Sequence, residues 1–365
     1  MHLNRLQLSN FKNHPDTDFA FCPNVNCLVG NNGVGKTNVL DAIYYLSFCK
    51  SYFNPIDSQN ILHGQEFFAV HGHYEGLQEE GVETLVSCVL KKGQNKQLKY
   101  NKKAVSAFAE HIGRIPLVIV TPSDQTLILG GSEVRRKFMD GVISQADKSY
   151  LQSLLQYQKA VEQRNRLLKQ CYEDRYFDEE AITLWDEQLV RFGEPIHEAR
   201  CRFLEGFMPL FRNYFALISN QEAEVPAIEH LSQLREPTPF ADQLREARKR
   251  DSVVLYTTAG PHKDDLDFLL SDYQVRKFGS QGQQKTYLLA LKLAQFEYIS
   301  QQTGIKPILL LDDIFDKLDL LRVKQLVRLV GSTRFGQVFI TDTQEGRVEA
   351  IFEESPDMEH RIFNL

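Results

Sequence analysis

The sequence predicts an α/β fold, a strand-rich head with an antiparallel β meander, interrupted by a helical lobe. Three observations predict it. Gly30-Asn31-Asn32-Gly33-Val34-Gly35-Lys36-Thr37 follows a short apolar run, Val25 to Val29, and opens a helix-patterned run with Leu40, Ala42, Ile43 and Leu46. Segments of strand composition lie on both sides of a central stretch. Within that stretch apolar residues recur at helical spacing.

Strand, glycine loop, then helix is the context in which G-x-x-x-x-G-K-[ST] reads as a phosphate loop. Glycines let the backbone turn tightly and aim its N–H groups at phosphate oxygens. A helix beginning near Lys36 adds its positive end. Lys36 is placed to reach β/γ-phosphates and the Thr37 hydroxyl to ligate Mg²⁺.

Composition sets bounds. The chain has 365 residues, 42% hydrophobic and 25% charged, as expected of one large or two moderate soluble domains. It carries no apolar run long enough to span a membrane and no apolar leader at its start, which points to the cytoplasm. The six cysteines (Cys22, Cys27, Cys49, Cys88, Cys171, Cys201) form no C-x-x-C pair, so neither a zinc site nor a redox motif is indicated. A net charge of −6 argues against indiscriminate nucleic-acid binding; any DNA contact must come from a local basic patch.

In chain order, Phe67 to Glu75, Glu83 to Lys91 and Gln97 to Lys103 read as strands of a meander, with turns at Gly76 and at Lys91 to Asn95. Ile115 to Val120 reads as a buried strand. From about Glu133 the pattern is helical. Leu154, Val161 and Leu168 recur every seven residues with Leu151 and Leu155 beside them, as do Ile196, Phe203 and Leu210 with Ala199 and Phe207. Two to three heptads suit an antiparallel helical hairpin better than a free coiled coil. Pro195 should break or kink the second helix. Glu222 to Pro239 reads as an irregular return and Val253 to Thr258 as a strand. A long helix follows Gly282, covering Leu288 to Ile299; Pro307 to Asp313 and Gln337 to Thr341 read as buried strands. The head is therefore expected to comprise residues 1–122 and 252–365, split by a lobe at 123–251.

Two further motifs carry chemistry. Ile308 to Leu311 delivers Asp312 and Asp313 at a strand end. Asp312 suits Mg²⁺, and Asp313 suits orienting or deprotonating a water. Ser280-Gln281-Gly282-Gln283-Gln284-Lys285 precedes the long helix, where a hydroxyl and backbone donors face an anion or simply cap the helix.

The order of these motifs resembles the ABC-type ATPases of chromosome maintenance, and Leu28 to Asn38 resembles the phosphate loop of the RecF family, including Asn38. Thr121 to Asp124 leading to Arg135 to Asp140, Gly260 to Leu266, Ser280 to Lys285, Asp312 to Asp319 and Gln337 to Thr341 also fit that family. The resemblance implies ATP and Mg²⁺ as cofactors, with Gly30, Asn31, Asn32, Gly33, Val34, Gly35, Lys36, Thr37 and Asn38 in one subunit and Ser280, Gly282 and Gln283 of the other around the nucleotide. It implies an ATP-dependent homodimer that binds DNA, acts with RecO and RecR to load the recombinase at gaps, and serves replication, repair and the SOS response.

Departures are visible. Asp313 stands where ABC ATPases generally place Glu, which predicts slow hydrolysis. Gln281-Gly282 replaces the double glycine, Thr341-Asp342 lies where many ABC proteins carry a switch histidine, and Gln125 lies near the Q-loop region. An SMC-like DNA organiser would want a longer coiled coil and a hinge; a transporter-type ATPase subunit would need a membrane partner.

For DNA, basic residues cluster at Lys91, Lys92, Lys96, Lys99, Lys102 and Lys103, and at Arg135, Arg136 and Lys137. Without an aromatic stacking platform, backbone binding with little sequence preference is expected.

Overall fold

Residue contacts divide the chain into two compact units, Met1–Asp124 with Leu217–Asn220 and Leu288–Leu365, and Gln125–Ala216 with Gln221–Tyr287. The computed structural model describes residues 1–79, 81–219, 224–314, 329, 334–344, 346 and 359–365.

The first unit carries β1 (His2–Phe11), β2 (His14–Ala20), β3 (Val25–Val29), α1 (Lys36–Phe48), β4 (Phe67–Glu75), β5 (Glu83–Lys91), β6 (Gln97–Tyr100), β7 (Lys103–Ala104), α2 (Phe108–His111) and β8 (Leu117–Val120). β4 and β5 have the bounds read from the sequence; the third expected strand is divided by a left-handed turn at Asn101 and Lys102. Strands β2-β1-β4-β5-β6-β7 form an antiparallel sheet. The second sheet, five parallel strands, is completed by three strands from the far end of the chain. These are β12 (Ile308–Leu311), β13 (Val338–Asp342) and β14 (His360–Asn364), in the order β14-β3-β13-β12-β8.

α1 touches strands of both sheets, which explains why ten of its 13 residues are buried and its apolar residues follow no single stripe. Leu46 of α1 lies over Gly72 of β4, where an added Cβ would meet its Cδ1 at 2.5 Å. Removing the fully buried Leu46 side chain would cost about 2–5 kcal/mol. Gln337, also buried, fastens the two sheets: its amide exchanges hydrogen bonds with both backbone groups of Leu3 (2.7 and 2.8 Å) and donates to the Cys22 carbonyl (2.8 Å).

The second unit holds α3 (Gln125–Leu129), α4 (Ser132–Ala146), α5 (Lys148–Glu173), most of α6 (Glu179–Ser219), β9 (Pro226–Leu231), α7 (Phe240–Val254), β10 (Asp265–Leu270), β11 (Tyr273–Gln274) and α8 (Val275–Phe278). α9 (Gln281–Thr303) starts here and continues into the first unit from Leu288. α5 and α6 run antiparallel: Tyr150 meets Arg200, Tyr157 lies at Gly193, and Arg164 meets Asp186, one number rising as the other falls. The buried face of α5 is Leu154, Tyr157, Ala160, Arg164 and Leu168; Leu155, expected beside it, is exposed.

Two buried arginines tie this unit together. Arg164 pairs with Asp186 and Asp251, and Arg200 with Asp140 and Asp264. Removing one partner of such a pair strands a buried charge at a cost of about 3–5 kcal/mol.

Three expectations are corrected. α6 is not broken at Pro195, which removes the break from the expected break or kink, nor at Pro209; both prolines are exposed, as are Arg191 and Glu205 four residues before them. The stretch expected to be irregular contains β9, an edge strand that begins at Pro226 and pairs antiparallel with β10. Val253 and Val254 end α7 instead of opening a strand, and Leu255 closes the helix in a left-handed conformation. Asp251 of α7 accepts from Thr258 and pairs with Arg164, and residues 252–287 belong to the second unit.

Candidate nucleotide site

In the parallel sheet β3, β13, β12 and β8 all end at one edge, so the segments after them meet there. Carboxyl edges of such sheets are where loops collect ligand-binding groups. β3 delivers the glycine loop, β12 delivers Asp312, β13 contributes Thr341, and β8 leads to Thr121. The amide of Asp312 donates to the Val120 carbonyl (2.8 Å), joining two of these ends directly.

Asn31, Asn32 and Gly33 are exposed at the tip of the loop, Val34 is half-buried, and Gly35 and Lys36 are buried at its base. Lys36 folds back so that its ammonium donates to the carbonyls of Gly30 (2.7 Å) and Asn31 (3.0 Å). Gly35 opens α1 with φ 115°, a conformation that favours glycine. An added Cβ there would also come within 2.7 Å of Asn13 and His14.

Those two residues had no signal in the sequence. The Asn13 amide donates to the Val34 carbonyl (3.1 Å) and accepts from Asn38 (2.7 Å), while Nε2 of His14 donates to the Gly35 carbonyl (3.2 Å). Burial lowers the His14 pKa, so the ring is neutral and serves as a fixed hydrogen-bond post.

The acid strand closes the constellation. The Thr37 hydroxyl lies 2.9 and 3.2 Å from the two carboxylate oxygens of Asp312, and the Thr341 hydroxyl lies 2.9 Å from one of them. Asp312 is 3% exposed, and burial raises its pKa against the pull of the two hydroxyls; Asp313 pushes the same way and Lys36 opposes it. A partly desolvated carboxylate beside a hydroxyl is a hard oxygen donor set that gains from a cation, and it fits Mg²⁺. Asp313 has φ 45°, a left-handed conformation that Asp tolerates better than Glu, and its amide donates to the Thr341 hydroxyl (2.9 Å). The departure from Glu thus coincides with a backbone that favours the shorter acid.

A buried network holds the β8 end. The Asp124 carboxylate accepts from the Thr121 amide (2.7 Å), from Tyr52, and from Lys292 of α9 (2.8 Å), whose ammonium also bonds the Ile119 carbonyl (2.9 Å). Gln125, next in sequence, opens α3. Asp316 to Asp319 lie outside the described residues.

In the second unit Ser280 precedes α9 and is exposed. Its hydroxyl accepts from the Gln283 amide (3.2 Å) and its own amide donates to the Gln283 side chain (2.7 Å). This is a reciprocal capping box. Gln283 also donates to Glu224 (2.6 Å), and Gly282 is half-buried beside it.

The basic residues separate. Lys91 and Lys92 are exposed at the β5–β6 turn, but Lys96 is bound to Asp57 (2.6 Å) and to the Tyr45 hydroxyl. Lys137 is exposed and paired with Glu133, one turn away on α4. Arg136 donates to the Asp264 carbonyl (2.6 Å). Arg135, 3% exposed, grips Asp265 with two nitrogens (2.7 and 2.9 Å). It is committed to packing and is not presented as a surface cation.

A phosphate loop and an acid strand on a parallel sheet, with an antiparallel sheet across α1, define a P-loop ATPase head of the ABC type. Residues 2–359 match the family model described as the RecF/RecN/SMC N terminal domain. The chain is 51% identical over 365 residues to the DNA replication and repair protein RecF of Flavobacterium johnsoniae, all of both chains being covered. A solved structure of the recombination mediator protein RecF with ATP, in the RecFOR pathway, superposes with TM-score 0.87 at 32% identity, covering 94% of this chain and 92% of that one. An Smc head domain from Pyrococcus furiosus gives TM-score 0.57 at 18% identity, covering 96% and 91%, a likeness of fold alone. The chain belongs to the RecF family.

Proposed function

We propose that the chain is an ATP-dependent DNA-binding protein of replication and recombinational gap repair. In this reading ATP closes two copies on DNA, the closed dimer works with RecO and RecR to load the recombinase and to support SOS induction, and slow hydrolysis opens it. The observation that carries the reading is the joining of Lys36, Thr37 and Asp312 at one edge of the parallel sheet.

Each residue then has a task. The loop amides and Lys36 hold the phosphates, with the ammonium moving from loop carbonyls to phosphate oxygens of higher charge. Thr37 and Asp312 would hold Mg²⁺, which supplies positive charge to the phosphate oxygens when bound. Asp313 orients the attacking water and accepts its proton; the short side chain keeps this step slow. Ser280, Gly282 and Gln283 face the γ-phosphate held by the other copy. Lys91, Lys92 and Lys137, the last paired with Glu133, are among the exposed cations offered to the DNA backbone. This reading places the work in the cytoplasm; no helix among the described residues is long and apolar enough to cross a membrane.

The test is mass in solution by light scattering with ATP and Mg²⁺, with ADP, and without nucleotide. A dimer formed only with ATP is expected. A monomer at saturating ATP would overturn ATP-driven closure.

A further inference from the structure

His197 and Cys201 stand four residues apart on α6, so they leave the same face of the helix. β9 brings His230 against that face. The Cys201 sulfur lies 3.7 Å from Nε2 of His197 and 4.0 Å from Nδ1 of His230, and all three donor atoms lie within 4.8 Å of one another.

The remaining nitrogen of each ring is already engaged. Nε2 of His230 lies 3.0 Å from the Asp264 carboxylate, and Nδ1 of His197 lies 3.2 Å from the Ser232 hydroxyl. A carboxylate only accepts here, so the His230 proton sits on Nε2 and the Nδ1 lone pair faces the sulfur. The Ser232 hydroxyl accepts from the Leu234 amide as well as facing His197. In the tautomer with its proton on Nδ1, His197 likewise turns a lone pair toward Cys201. A thiol has one proton and can satisfy only one of two facing lone pairs.

We propose that His197, Cys201 and His230 bind a zinc-class divalent cation, with a fourth position open to water. Two imidazoles and a thiolate suit Zn²⁺, whereas Mg²⁺ and Ca²⁺ want oxygen ligands. Bonds of about 2.0–2.3 Å set such ligands roughly 3.5 Å apart, so atoms now within 4.8 Å of one another need to close by up to about 1.3 Å. The Asp264–His230 and Ser232–His197 contacts are the outer supports that fix ring orientation around a metal. His197 and Cys201 are half-buried, which leaves the ion a route from solvent.

The neighbouring charges do not forbid a cation. Arg200 is neutralised by Asp140 and Asp264; Arg235 opposes the ion, and the Cys201 thiolate formed on binding supplies one negative charge. The bound ion would join β9 to α6 and stabilise the folded unit by linkage. The site uses nothing of the nucleotide centre, so its test stands apart from that of ATP-driven closure.

The experiment is a Co²⁺ titration of the metal-stripped full chain, followed by Zn²⁺. We expect one Co²⁺ per chain with a thiolate-to-cobalt charge-transfer band and tetrahedral d–d bands, all displaced by Zn²⁺. Cys201→Ser should lose the charge-transfer band while keeping nucleotide binding, and Ser232→Ala should weaken the metal about 10-fold. Absence of the band in the unaltered chain would overturn the site, as would its persistence in Cys201→Ser.

Discussion

The two segments assigned to the nucleotide are built in opposite ways. The phosphate-loop half is buried at its base, and Lys36, Thr37 and Asp312 are all held by hydrogen bonds within the chain. The Ser280 half is an exposed helix cap whose polar groups are satisfied by Gln283. Groups held at a buried base need only a local shift, the Lys36 ammonium from loop carbonyls to phosphate, whereas an exposed cap contributes only when another surface is brought to it. On this view the first half sets affinity for ATP and the second sets what ATP does to a pair of chains.

The largest break in that comparison is Lys36→Ala. Removing the ammonium leaves phosphate charge and two loop carbonyls facing each other, so ATP affinity should fall by more than about 100-fold. Titration with a fluorescent nucleotide measures it, and nucleotide-dependent DNA binding should vanish with it. Affinity within a few-fold of the unaltered chain would show that Lys36 is not the phosphate ligand.

Ser280→Arg tests the other half. ATP should bind the monomer as before, but no dimer should appear by light scattering, because a long cation occupies the surface offered to the second copy. Normal dimerisation by this variant would defeat the sandwich reading while leaving the phosphate loop untouched.

The same asymmetry governed what the sequence made legible. The phosphate loop and the acid pair are contiguous motifs with local geometry, and β4 and β5 alternate plainly enough to be read to the residue. His14 and Asn13 brace Gly35 from a turn some twenty residues away, and Lys292 reaches Asp124 across 168 positions; no local pattern announces either. β9 was hidden because it opens with proline and carries Glu229 and His230, and because its partner lies beyond an intervening helix. α7 was hidden because its β-branched end, Val253-Val254, resembles a strand start. Cys201 was set aside with the other cysteines; His197 precedes it by four residues on α6, but His230 comes from β9 and no local pattern joins the three.

The second unit also has a pH dependence that the first does not share through the same group. His262 is half-buried, accepts from Tyr157 (2.7 Å) and donates to the Thr257 carbonyl (3.0 Å), and desolvation lowers its pKa to about 4. The unfolded chain protonates this histidine below its ordinary value near 6.5 while the fold resists. Its contribution is therefore complete above about pH 6.5 and declines as pH falls toward 4, by about 3 kcal/mol over the window. Asp264, whose pKa is lowered, adds loss only below the ordinary carboxylate range. The single tryptophan, Trp185, lies on α6 and reports unfolding of this unit in urea. The decline should flatten in His262→Gln; an unchanged slope would place the proton uptake elsewhere.

The smallest effect separates the two roles of Ser280. As a cap it satisfies the Gln283 amide, and Ser280→Ala should cost about 1 kcal/mol, a shift of roughly 2–4 °C in the melting of a unit this size. Ser280→Asp is the sharper variant, because aspartate caps as well as serine and its charge suits the positive end of α9. Its melting temperature should stay at or above that of the unaltered chain. If Ser280 only caps a helix, Ser280→Asp will also dimerise with ATP as before. If the hydroxyl faces a γ-phosphate held by the other copy, two like charges meet and the dimer should be lost from a chain that is fully folded. Thermal melting and light scattering on the same samples decide between them, since the cap predicts that they move together and the phosphate contact predicts that they part.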